Sequence, residues 1–296
     1  MIKIRHILLT VFSMSLMLLL SGCKYALLDP KGTIAADEKH IMVISILLML
    51  IVVIPVIIMT FLFAYQYRAS NTKAKYEPEW CHSTVLEVIW WSVPCVIVAI
   101  LGYITWTSSF KLDPYKPLVT NEKPIVIQAI ALEWKWLFIY PEQNIATVNF
   151  VQIPKGVPVE FLITAEGPMN SFLVPQLAGQ IYAMAGMQTK LHLIANEEGD
   201  YQGISSNFSG DGFSSMKFTV RASSPAQFAD WVKTTKQSPN QLTMLAYNKL
   251  AAPSENSPVQ YFSSTNKNIF ETVVMKEMMP MPMAKESQPI IASSKK

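Results

Sequence analysis

Residues 201–220 read YQGISSNFSGDGFSSMKFTV, a stretch rich in Gly, Ser and Asn that runs into an alternating one. Met216, Phe218 and Val220 fall on one side, and Lys217, Thr219 and Arg221 on the other. That period of two is what a strand with one buried face requires. No cysteine lies after Cys95, so this half of the chain can hold neither a disulfide nor a thiolate-bound metal.

Upstream, strands are predicted over 124–131, 132–140, 146–151, 157–164 and 189–195, with Pro and Gly punctuating them. Short strands at this spacing indicate a β-sandwich or barrel. Downstream the period changes at Ser224, which reads as an N-cap with Pro225 at the first helical position. Phe228, Trp231, Val232 and Thr235 follow at helical spacing. Leu242, Leu245 and Leu250 suggest a second helix, and Phe270, Val273 and Val274 a third, so 223–275 reads as a helical arm. Residues 276–296 read as a disordered Met/Pro tail. Met275, Met278, Met279, Met281 and Met283 are either part of that tail or a set of thioethers able to bind Cu(I).

Further upstream, residues 41–63 carry no charge and at 1.5 Å per residue are long enough for a hydrocarbon core of about 30 Å. Residues 88–106 form a second uncharged run, with Trp90, Trp91, Tyr103 and Trp106 near its ends as interfacial anchors. Pro55 and Pro94 lie inside the runs, as lipid-embedded helices tolerate. Transmembrane helices are therefore predicted over 41–63 and 85–107. The chain opens with Lys3 and Arg5, an apolar run and then LSGC at 20–23. A charged start, a short apolar centre and a small-residue cleavage site make a signal peptide over 1–22. The LSGC ending resembles the lipobox of bacterial lipoproteins, which implies lipid attachment at Cys23. With Cys23 outside, 23–40 is an external segment, 64–84 a cytoplasmic loop and 108–222 an external β-domain.

Charged residues make up 15 % of the 296 residues, hydrophobic residues 51 %, and the net charge is +3. This balance excludes disorder as the main state, and nucleic acid is not an expected partner. His192 sits mid-strand with no apparent partner ligands and reads as structural or solvent-facing. Trp134 and Trp136 are expected to share one strand face.

Four blocks, HSTVLEVIWWSVPCVIVAIL (82–101), ALEWKWLFIYPE (131–142), GPMNSFLVPQLAGQIYAMAGMQTKLHLIA (167–195) and the opening stretch, occur in an order that resembles subunit II of the haem-copper respiratory oxidases. The resemblance implies a membrane-anchored α+β protein: a two-helix transmembrane hairpin, then a cupredoxin-like β-sandwich and a C-terminal helical arm. In the cytochrome c branch, two cysteines, a glutamate, two histidines and a methionine hold the binuclear copper A centre. Carried over by position, the cysteines become Ser205 and Ser209, the glutamate Asn207 and the histidines Asn170 and Phe213, with Met216 retained. Serine hydroxyls and amides cannot replace bridging thiolates, so no copper A is expected and no metal is expected in this chain.

Such a loss resembles the ubiquinol oxidase branch, of the cytochrome bo type. There the haems and copper B belong to subunit I, ubiquinol is oxidised within the membrane, and this chain would bind no cofactor and carry no catalytic residue. The implied partners are subunit I, small subunits III and IV, membrane lipid and, through the complex, ubiquinol. The implied location is the bacterial inner membrane, with the β-domain in the periplasm. Glu87 occupies the place of a carboxylate near the mouth of a proton pathway of subunit I, and an ionisable group at a membrane boundary suits that task. The alternative is a non-enzymatic membrane lipoprotein whose β-sandwich is a binding or structural module.

Overall fold

A computed structural model describes residues 25–75, 77–120 and 122–278. The chain falls into two compact units, one of residues up to Lys116 with Pro175–Gly179, the other of Pro117–Val174 and Gln180 onward. Cys23 and the residues after 278 lie outside the described ones.

In the first unit the apolar runs form α1 (Thr33–Gln66) and α2 (Thr84–Lys111), each long and apolar enough to cross a membrane. Pro55 and Pro94 sit inside them without ending them. α1 starts ahead of the predicted run, so Asp37, Glu38, Lys39 and His40 are helical as well. Asp37 near the start of α1 pairs with Lys111 at the end of α2 at 2.8 Å, which closes an antiparallel hairpin. Lys39 Nζ donates to the Leu28 carbonyl at 2.7 Å. The N–H groups of Lys31 and Gly32 donate to the Gln176 carbonyl, which ties down the chain before α1.

The second unit is built on two sheets. β1 (Ile125–Leu132), β2 (Lys135–Tyr140), β3 (Ile145–Val148), β5 (Val159–Ala165), β8 (Thr189–Leu193) and β11 (Gln260–Phe262) make one, in the order β11-β3-β2-β1-β5-β8. β4 (Phe150–Pro154), β6 (Asn170–Val174), β7 (Ala178–Ala183), β9 (Gly199–Ser205) and β10 (Lys217–Ser223) make the other, in the order β4-β10-β9-β6-β7. Within β10 the predicted alternation holds: Phe218 and Val220 are buried, Lys217 and Arg221 exposed.

Two predicted strands are cut by a residue with positive φ. The stretch 146–151 changes sheet at Asn149, where φ is 56°. A short amide side chain tolerates that conformation. Asn149 also accepts the Trp136 N–H on its Oδ1 at 2.8 Å and donates its own N–H to the Trp136 carbonyl at 2.9 Å. The stretch 132–140 turns at Glu133 and Trp134, with Leu132 opposite Lys135 and Trp134 at φ 61°. The expectation that Trp134 and Trp136 share a strand face is therefore corrected: Trp134 belongs to the turn, and only Trp136 points into the sandwich.

Between the sheets lies an aromatic core. Trp136, Phe138, Phe161, Phe172 and Phe218 are at most 3 % exposed, and the Phe172 and Phe218 centroids lie 5.0 Å apart. Tyr140 closes one end of this core, accepting from the Gln152 N–H and donating to the Gln152 carbonyl. Burial pushes its phenol well above the usual value. Ser224 and Gln227 form a capping box on α3 (Pro225–Thr235), and Trp231 on that helix packs on Tyr140 and Phe150.

A second core lies on the outer face of the six-stranded sheet. Ile130, Leu132, Leu137, Ile139, Ala146 and Val148 pack against Leu242, Tyr247, Phe262, Ile269, Phe270 and Val273 of the arm. The arm thus holds a strand, β11, besides α4 (Met244–Ala251) and α5 (Ile269–Met278). With both faces covered, every residue of β2 and β3 is buried, a pattern that one-faced alternation does not foresee. Lys135, 1 % exposed, projects into this interface and donates to the carbonyls of Leu250 and Ala252 at the end of α4. Burial pulls its ammonium below the usual lysine value, against the opposing charge of Glu133. The Glu166 carboxylate accepts from Tyr247 of α4 and Lys276 of α5, binding both helices to the sandwich.

Across β9 and β10, Asp200 receives two bonds from the Arg221 guanidinium at 2.6 and 2.7 Å. That hydrogen bonding, helped by the charge and opposed by partial burial, holds the Asp200 carboxyl below its usual 3.8. The ionised form is thus favoured by folding, so the stabilisation is complete above the unfolded value and is lost as pH falls through the lowered native one. Both side chains are half exposed, which keeps the effect under about 1 kcal/mol. Asp200→Asn should accordingly lower stability slightly near neutrality. Denaturant titrations at descending pH should show the gap from the parent protein closing in the acid range.

Candidate functional site

The end of the sandwich where β6 begins and β9 ends gathers most of the positions singled out above. Asn170 opens β6 and Ser205 closes β9, where it lies opposite Phe172. Ser205 Oγ donates to Asn170 Oδ1 at 3.0 Å, and Asn170 Nδ2 donates to the Pro168 carbonyl. Beside them Ser171 and Ser206 share a hydroxyl contact of 2.8 Å. Asn207 turns away and donates to the Met169 carbonyl. Phe213 lies in a short 3-10 turn, Asp211–Ser215, with its ring 5.7 Å from that of the exposed Phe208. Met216 is buried in the sandwich, 1 % exposed.

Trp134 holds this loop from above. Its indole N–H donates to the Ser209 carbonyl at 3.1 Å, and the ring packs closely against Gly210 and Gly212. A Cβ on Gly212 would come within 2.4 Å of the indole. Gly210 also has φ 108°, a conformation that glycine adopts freely. The Ser209 hydroxyl is buried without a partner.

Chemically, this end of the sandwich offers hydroxyls and amides that largely satisfy one another. Bridging copper ions would need thiolate or imidazole at Ser205, Ser209, Asn170 and Phe213, and none of these side chains supplies one. The residues present do not fit a copper A centre. Among the described residues no cluster of three His, Cys, Asp or Glu side chains is placed to hold a metal ion. His192, on β8, is 6 % exposed and stands opposite Glu160, its Nε2 4.0 Å from Glu160 Oε1.

A second candidate lies at the foot of α2. Glu87 is in the first turn, where the helix dipole favours a carboxylate. His82 Nδ1 lies 2.7 Å from Glu87 Oε1, and His82 Nε2 is 3.1 Å from Thr84 Oγ1. Sequence reasoning named Glu87 and missed His82. The two are five residues apart across the N-cap Ser83, a spacing that is not a helical pair, and only the bend of the chain into α2 joins them. The one signal available was a histidine just ahead of an N-cap.

Two apolar helices, each long and apolar enough to cross a membrane, precede a two-sheet β-sandwich with a helical arm. Residues 33–112 match the family described as cytochrome c oxidase subunit II, transmembrane domain, and 143–223 match its periplasmic domain. Residues 236–281 match the COX aromatic rich motif. The protein called cytochrome bo(3) ubiquinol oxidase subunit 2 of Pseudomonas aeruginosa is 56 % identical over 259 residues, 88 % of this chain and 78 % of that one. Ubiquinol oxidase subunit 2 of Acetobacter aceti is 51 % identical over 276 residues, 93 % and 90 % of the two chains. Quinol oxidase subunit 2 of Bacillus cereus is 39 % identical over 247 residues, 82 % and 85 %. The chain belongs to the cytochrome oxidase subunit II family, in its ubiquinol oxidase branch.

Proposed function

We infer that this chain is the subunit of a proton-pumping terminal ubiquinol oxidase that carries no redox centre of its own, in a complex that reduces oxygen to water. The supporting observation is the end of the sandwich, where Asn170, Ser205 and Ser209 stand in place of copper ligands and the loop is held by hydrogen bonds and the Trp134 indole. A quinol delivers its electrons at membrane depth, so an external domain has no electron carrier to receive. The haems and copper B belong to subunit I in this reading. The hairpin packs on subunit I, small subunits III and IV complete the complex, and the β-domain covers its periplasmic side. The chain lies in the bacterial inner membrane and Cys23 carries lipid.

Glu87 serves proton uptake from the cytoplasm. Its carboxylate lies in the first turn of α2 within hydrogen-bond reach of His82, an arrangement that positions it. Glu87→Ala should slow turnover and proton uptake several-fold in a complex that still assembles. Unchanged turnover in such a complex removes Glu87 from the pathway.

The subunit assignment is tested by isolating the protein from its membrane in mild detergent through a C-terminal tag. Metal content, the reduced-minus-oxidised spectrum and quinol-dependent oxygen uptake are then read on what copurifies. Haem with a single copper and quinol oxidation are expected. A colourless, haem-free protein would overturn the assignment in favour of a lipoprotein with a binding or structural β-domain.

A further inference from the structure

A short 3-10 turn, Ala26–Leu28, precedes α1, and the apolar side chains in and beside it point away from the protein. Tyr25, Leu27 and Leu28 are 63 %, 54 % and 48 % exposed. The backbone of the turn does not depend on water. The carbonyls of Tyr25 and Ala26 accept from the N–H groups of Leu28 and Asp29, the Leu28 carbonyl accepts from Lys39 Nζ, and the Asp29 carbonyl accepts from Gln176 Nε2. A segment whose carbonyls already have protein donors can leave water at little cost, whereas one solvated by water cannot.

The turn is also fixed in depth. Lys39 stands two residues before Ile41, where the uncharged run of α1 begins, a rise of about 3 Å along the helix. Its bond to Leu28 therefore holds the turn beside the boundary of that run, and residues 33–112 match a transmembrane domain. The Asp37–Lys111 pair brings the end of α2 to the same end of the hairpin. There Trp106 and Phe110 are exposed, with their rings 5.2 Å apart. Exposed aromatic and aliphatic side chains beside lysines, whose stems can lie along apolar surface while the ammonium stays in water, match the boundary between lipid and water.

We propose that Tyr25, Leu27 and Leu28 dock the turn on the bilayer, among the headgroups and upper acyl chains of the leaflet at that end of the hairpin. The partner is the lipid surface that α1 itself crosses, and the contact holds the start of α1 at a fixed depth. Which side of the membrane that leaflet faces rests on the orientation proposed above; the lipid contact does not.

Leu27→Cys is introduced into the assembled complex, labelled with a methanethiosulfonate nitroxide and reconstituted in vesicles of phosphatidylethanolamine and phosphatidylglycerol. Unsubstituted complex labelled alike supplies the background from Cys81 and Cys95, both exposed, and from partner chains. Glu255→Cys, exposed on the arm, is the aqueous reference. In the absence of quinol, relaxation of the nitroxide by oxygen, which concentrates in lipid, is compared with relaxation by a neutral nickel chelate, which stays in water. At position 27 oxygen should be several-fold the more effective, with the order reversed at position 255. A stronger effect of the nickel chelate at position 27 would overturn the proposal in favour of a solvated turn, and weak relaxation by both would overturn it in favour of docking on a protein partner. Leu27 is exposed, so the substitution should leave folding intact, and the haem spectrum of each sample reports assembly. Absence of haem from the unsubstituted complex would strike the oxidase reading and leave the lipid comparison at position 27 legible.

Discussion

Trp136→Ala is expected to destabilise the β-sandwich by about 3–5 kcal/mol, the range found for large aromatic truncations in packed cores. Trp136 is fully buried, with its ring 5.3 Å from that of Phe172 and 5.7 Å from that of Phe218. Deletion leaves a cavity lined by rings that are themselves held by neighbours on both sheets, so collapse into it is limited. The indole Nε1 has no hydrogen-bond partner, so Trp136→Phe loses volume without losing a bond and should cost less than half as much. Denaturant unfolding followed by near-ultraviolet circular dichroism separates the two variants. An alanine variant within about 1 kcal/mol of the parent would show that the aromatic cluster is not what joins the sheets.

Gly203→Ala is the second large expectation, for the opposite reason. Gly203 lies opposite Phe218 across β9 and β10, and an added Cβ would sit 2.1 Å from the Phe218 ring. The ring cannot swing aside, because Trp136, Phe138 and Phe172 surround it. Overpacking of this kind costs about 1–3 kcal/mol. Backbone strain contributes nothing, since Gly203 is not among the residues with positive φ. A double-mutant cycle checks the cause. Phe218→Leu alone should destabilise, whereas in the Gly203→Ala background it should recover stability, with a coupling of about 1 kcal/mol or more. Additive losses would place the strain elsewhere.

Much of the architecture follows from local pattern. The apolar runs become α1 and α2 because uncharged stretches of that length have few other uses. The cap at Ser224 is legible because a capping box acts within four residues. The two-sided alternation of 216–221 is legible because β10 has one face in the core and one in water. The strands β6, β7 and β9 escape notice because Gly or polar residues interrupt their alternation, and β11 because three residues carry no period.

The candidate site was legible as residue types and not as contacts. Asn170, Ser205, Asn207, Ser209, Phe213 and Met216 were all named from their places in the motif. Nothing in it said that Ser205 would bond to Asn170, or that Asn207 would turn to the Met169 carbonyl. Trp134 was misplaced on the face of Trp136. Strand alternation was extended through a two-residue turn whose positive φ is carried by a bulky residue, which propensity disfavours and which the packing against Gly210 and Gly212 holds in place.

By itself the sequence determined that this protein has two apolar runs long enough to cross a membrane, a β-sandwich and no thiol beyond Cys95, because these depend on composition and short-range period. Only the tertiary structure decided that the six-stranded sheet is buried on both sides and that Lys135 sits in that second core. It alone joined His82 to Glu87. These outcomes depend on which distant segment covers which face, and neither hydropathy nor local period encodes the partner that a face will meet.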